Sequence, residues 1–130
     1  MTVMDQKEPR RITDRGTIAR FHRLELRCLY CNDRPTDPHH IYPKGRGGDD
    51  VMANLVPLCR RDHDALHGAS YMRVVNPTGE RVRVEASDVR FRIGRWLQDD
   101  DGRDARAYLV GKLGTSAAER FMLQEYGVRT

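Results

Sequence analysis

Three features of this 130-residue chain predict an α+β fold. Two proline-bearing segments, PTDPHHIYP and NLVPLC, flank a glycine-rich turn and lead into a short helical stretch. The run YMRVVNPTGERVRVE alternates β-branched and charged residues around an Asn-Pro-Thr-Gly turn, the pattern of a hairpin. Beyond it, apolar residues recur at helical spacing. Strands and helices thus fall in separate short runs, with no βαβ pattern.

Residues 1–15 are charged and poor in apolar side chains, and read as a mobile basic arm whose Arg10, Arg11 and Arg15 can touch phosphates. From Thr17, Ile18, Phe21, Leu24 and Leu26 cover one side of a short helix leading into a strand. His22 on this segment reads as a packed or solvated side chain. Cys28 and Cys31 form a CLYC knuckle, and Pro35 and Pro38 then break any helix before an extended HHIY, the first strand. Gly45–Gly48 reverse the chain, and DDVMANLVPLC supplies a loop and the second strand. A helix is expected from Arg60 to Gly68, with Asp62 against the positive end of its dipole and Gly68 as its stop.

In the tail, Val89, Ile93, Trp96 and Leu97 share one helical stripe, DDDG at 99–102 is a turn, and RDARAYLVGKLG repeats the helical pattern. Ser116 with Glu119 suggests a capping box for a last helix. The chain divides into an arm (1–15), a core (16–69) and a hairpin-and-helix extension (70–130) packed on or beside that core.

No apolar run approaches the roughly 20 residues of a membrane span, and the opening MTVMDQKEPRR lacks the apolar stretch of a secretory signal. A soluble, cytoplasmic protein is the expectation. The net charge of +4 favours a polyanionic partner. Lysine occurs only at Lys7, Lys44 and Lys112, so arginine carries most of the positive charge. Arginine forks suit phosphate oxygens, although a GC-rich genome gives the same bias.

Four of the five histidines lie between Asp37 and His67. His39 and His40 are adjacent, Asn54 follows the glycine turn, and His63 and His67 are four apart, where a helix sets both on one face. With the frame HHIYPKGRGG and NLVPLC, this pattern over residues 26–68 resembles the HNH endonucleases, which carry a ββα-metal (His-Me finger) core.

The resemblance implies a metal-dependent DNA endonuclease, hydrolysing phosphodiester bonds to leave 5′-phosphate and 3′-hydroxyl ends. His40 would be the general base, a role that suits imidazole because its ordinary pKa is about 6.5. Side chains alternate across a strand, so His39 should point away from His40 unless the strand is distorted at its end, and should join His63 and His67 in binding a catalytic Mg, Mn, Ni or Zn. Asn54 would orient the base or brace the loop, and Asp37 would orient a ligand imidazole.

Cys28, Cys31 and Cys59, with Asp62 where relatives have a fourth cysteine, match the family's structural zinc knuckle. Taken alone, the cysteines also fit a metal-free knuckle or a redox CxxC. Lys44, Arg46, Arg60 and Arg61 are candidate DNA contacts, with Arg90, Arg92 and Arg95 as further cations on the tail. The rival functions are a non-catalytic, zinc-stabilised DNA-binding module and a phage packaging accessory that recruits a protein partner through its extension.

Overall fold

The computed structural model describes residues 11–129. Helix α1 spans Arg15–Arg23, and Asp14 caps it by accepting from the backbone N–H groups of Gly16 and Thr17. Phe21 is its buried residue. No strand follows directly: Glu25 adopts a left-handed φ of +47°, and the chain turns through the cysteine knuckle before the first strand begins at Asp37.

Strands β1 (Asp37–His40) and β2 (Leu55–Leu58) pair antiparallel, with His39 opposite Val56 and His40 opposite Leu55. Pro38 faces Pro57 in this register, and proline donates no ladder hydrogen bond, so the sheet stays short. Helix α2 (Arg60–Leu66) follows at once, with Cys59 as its N-cap. Its stop is Gly68, at φ +110°, a conformation that side chains disfavour.

Strands β3 (Tyr71–Val74) and β4 (Arg81–Val84) form the expected hairpin. Helix α3 (Ala86–Gln98) buries Val89, Ile93 and Leu97, while Trp96 is half-buried. At its start the Asp88 carboxylate accepts from the Glu85 backbone N–H, 2.9 Å away. Helices α4 (Arg103–Leu113) and α5 (Thr115–Tyr126) complete the chain. Gly114 ends one and begins the other, at φ +86°. Ser116 therefore lies inside α5, and the capping box expected there does not form.

The extension shares the core's interior. Ile41, Val56, Leu58 and Leu66 belong to one buried cluster with Val89, Ile93, Leu97, Leu109, Phe121 and Met122. Within the expected arm, residues 11–14 bond to the loop between β1 and β2: Arg11 pairs with Asp50 at 2.5 Å, and the Ile12 and Asp14 backbone N–H groups donate to Asp49 and Asp50. Arg10 and the rest of the arm lie outside the described residues. Among the described residues, no helix is long and apolar enough to cross a membrane.

Helix α3 meets the end of α5 at Gly94. A Cβ built there would stand 2.0 Å from the Tyr126 carbonyl oxygen, a backbone atom with little freedom to yield. Gly94→Ala is expected to lose about 1–3 kcal/mol by overpacking. Urea denaturation measures this, and an unchanged midpoint would mean that the two helices do not meet so closely in solution.

Candidate metal centre

The loop between β1 and β2 determines where the histidines stand. Asn54, fully buried, accepts from the Tyr42 N–H at 2.8 Å and donates to the carbonyls of Tyr42 and Asp49 at 3.1 and 3.0 Å. One amide thus clamps both ends of the glycine-rich reversal. Gly48 allows the fold, because a Cβ there would meet the Tyr42 carbonyl oxygen at 1.7 Å.

His39 on β1 and His63 and His67 on α2 converge. Each offers a donor nitrogen, and these atoms lie within 4.8 Å of one another. Ring centroids are 5.4 Å apart for His39 and His63, 6.1 Å for His39 and His67, and 5.0 Å for His63 and His67. His67 follows the last helical residue, but its N–H still reaches the His63 carbonyl at 3.3 Å, preserving the helical offset.

Burial lowers the His39 pKa to about 3, and His63, His67, His40 and Arg90 push it the same way. Burial also lowers His63, with His67 adding to the effect. His39 and His63 therefore favour the neutral ring, the form in which imidazole donates to a cation. The donor set fits a divalent metal.

His39, His63 and His67 line a cavity of about 640 Å³ together with His40, Lys44, Asp50, Arg90 and Tyr126. His39 and His40 were expected to face opposite ways, yet both border this space, His40 being the last residue of β1. His40 Nε2 lies 2.8 Å from Asp50 Oδ1, an oxygen that Arg11 also contacts. Burial would raise the Asp50 pKa, but the His40 hydrogen bond, the Asp14 N–H and the Arg11 charge outweigh it and hold the carboxyl below its ordinary range.

Asp49, next in the chain, accepts from the Ile12 N–H at 2.6 Å, from the Tyr108 hydroxyl at 2.7 Å and from Lys112 at 3.0 Å. Sequence reasoning missed both acids, since Asp-Asp after Gly-Gly reads as turn chemistry. Tyr126, far downstream of the motif, was not assigned to the site either, and Arg90 was noted only as a further cation on the tail.

Asp37 makes no hydrogen bond to the imidazoles of His39, His63 and His67, although its charge acts on His63. Its carboxylate accepts from Arg60 Nε at 3.2 Å, an ion pair whose arginine side chain is 75% exposed and which contributes at most about 1 kcal/mol. Of the four candidate DNA contacts, Lys44 alone lines the cavity. Arg46 stacks over Tyr42 and Phe121, Arg61 over Tyr71, and Arg60 is the partner of Asp37. Arg90 borders the cavity with an ion pair to Glu125 at 3.6 Å.

A second cluster brings together Cys28, Cys31, Cys59 and Asp62, again with donor atoms within 4.8 Å. Cys28 Sγ donates to Asp62 Oδ2 at 3.1 Å, and the sulfurs of Cys31 and Cys59 are 3.6 Å apart. The Tyr71 hydroxyl, from the hairpin, donates to the other Asp62 oxygen. Burial raises the Cys31 pKa and pushes Cys59 up to about 11. Burial also acts to raise Asp62, but hydrogen bonds from Tyr71 and the cysteines hold it low. Three thiols around a carboxylate are a donor set that can hold a metal ion.

Residues 28–68 match the family model for HNH endonucleases. A 43-residue stretch is 40% identical to the uncharacterized protein YdfU of Escherichia coli (strain K12). That stretch is 31% of this chain and 12% of the relative, so the chain spans a small part of that protein's length. No solved structure gives a significant match.

The Asp50 carboxylate has a test of its own. Its pKa is lower in the folded chain than the ordinary 3.8, so its stabilising contribution is complete above that value and is lost as pH falls through the folded pKa. Melting temperatures are expected to drop below about pH 4 in the wild type and less steeply in Asp50→Asn. An identical acid limb in the two proteins would show that the carboxylate gains nothing from His40 and Arg11.

Proposed function

We infer that this chain, whose residues 28–68 match the HNH endonuclease family, is a metal-dependent DNA endonuclease. The observation that carries this reading is the convergence of three imidazoles on a cavity wall beside a histidine paired with a carboxylate. A binding module needs no such pair.

His39, His63 and His67 would hold a divalent ion, Mg, Mn, Ni or Zn, with coordination positions left for substrate. When bound, the ion stabilises charge on the phosphate and on the departing oxygen. His40 acts as the base. An ionised carboxylate only accepts, so Asp50 holds the Nε2–H of His40 and leaves Nδ1 to take a proton from water. The water oxygen bonds to phosphorus, the bond to the 3′ oxygen breaks, and that oxygen leaves as a hydroxyl after gaining a proton from solvent. The products are 5′-phosphate and 3′-hydroxyl ends.

Arg11 and Asp50 orient His40, and Asn54 keeps the loop beneath it fixed. Lys44 and Arg90 at the cavity supply positive charge for backbone phosphates, and Arg46, Arg60 and Arg61 extend the basic surface outside it. The second cluster would hold a structural zinc, tying the knuckle to the start of α2, with Asp62 in place of a fourth thiolate.

With supercoiled plasmid and Mn or Mg, His40→Ala should lower nicking about 10²- to 10⁴-fold while metal affinity is retained. His63→Ala should weaken transition-metal binding in a calorimetric titration. Wild-type nicking by His40→Ala would eliminate the assigned base. Elemental analysis should find zinc in the purified protein and its loss in Cys28→Ser; a zinc-free wild type would leave the knuckle without its metal.

A further inference from the structure

We propose that Tyr126, outside the family-matched segment, is a positioning residue for the metal centre: its hydroxyl fixes His39 as the Nε2–H tautomer, making Nδ1 the atom that ligates the cation. This rests on the reading of His39, His63 and His67 as metal ligands.

A tyrosine hydroxyl has one proton to give and lone pairs to receive another. The Tyr126 oxygen lies 2.7 Å from the Ile41 carbonyl oxygen and 3.1 Å from His39 Nε2. A carbonyl only accepts, so the hydroxyl proton goes to Ile41. The contact with His39 then requires Nε2 to carry a proton and donate it to the phenolic oxygen. Turning the hydroxyl toward Nε2 would deprive the carbonyl of this donor at Ile41, a residue with no exposed surface. A neutral imidazole bears one ring proton, so the free lone pair is on Nδ1.

Packing keeps the hydroxyl in place. Tyr126 is 5% exposed and meets the rings of Phe121 and His39 edge to face, at 5.9 and 6.5 Å between centroids. Its backbone carbonyl rests against Gly94 of α3, where any side chain would displace it. The extension thus provides the outer partner by which a ligating histidine is held in one tautomer and one orientation.

Two measurements test this. In metal-free wild-type protein at neutral pH, long-range proton–nitrogen correlation spectra should show His39 protonated on Nε2 and unprotonated on Nδ1. Tyr126→Phe, which retains the ring, should let the tautomers mix and weaken Ni(II) binding about 10- to 100-fold in a calorimetric titration. An Nδ1–H tautomer in the wild type overturns the proposal. So does a Phe variant with unchanged tautomer and affinity, or one that fails to fold while the wild type already shows mixed tautomers. A wild type that holds the Nε2–H form but binds no Ni(II), Mn(II) or Zn(II) refutes the metal reading, and with it the role of Nδ1.

Discussion

Two adjacent buried carboxylates, at the end of the reversal between β1 and β2, hold the molecule's parts in relation to one another. Asp49 reaches Lys112 and Tyr108 on α4, while Asp50 reaches Arg11 and His40. Burying a carboxylate is costly unless it is paired, and each of these is met by a cation and by backbone or side-chain donors. Both are held ionised, and the loop carrying them is therefore fixed from opposite sides. Asn54 adds a neutral clamp from below. The position of His40, the docking of α4 and the path of residues 11–14 share these few bonds.

The same economy governs α2, where adjacent residues serve different centres. Asp62 points to the cysteines and Tyr71, whereas His63 and His67 point to His39 and the cavity. A helix rotates about 100° per residue, so neighbours one position apart can serve separate centres. Zinc at the knuckle would fix the N-terminal end of this helix, and His63, next to Asp62, and His67, one turn further on, would inherit that placement.

Much of this architecture was legible in the sequence, because it rests on local rules. Prolines and glycines marked the limits of β1 and α2, the period-two alternation gave β3 and β4, and the four-residue offset of His63 and His67 placed both on one face. What escaped depends on distant contacts. Asp49 and Asp50 look like turn residues until Lys112 and Arg11 are seen beside them. Asp37 had the right spacing to brace an imidazole, but the nearer Arg60 takes its carboxylate. Ser116 had a capping signature, and Gly114 pre-empted it by starting α5 earlier.

The contact between Tyr126 and His39 joins residues 87 positions apart, and the buried cluster runs without a break from the motif into the last helix. The matched stretch is consequently no modular cassette. Grafted onto a foreign carrier, it would carry its histidines along but leave behind the apolar partners of Ile41 and Leu58 and the phenol that steers one imidazole. Exchange by recombination would succeed only where the recipient already presents a hydroxyl and a matching greasy surface at that place.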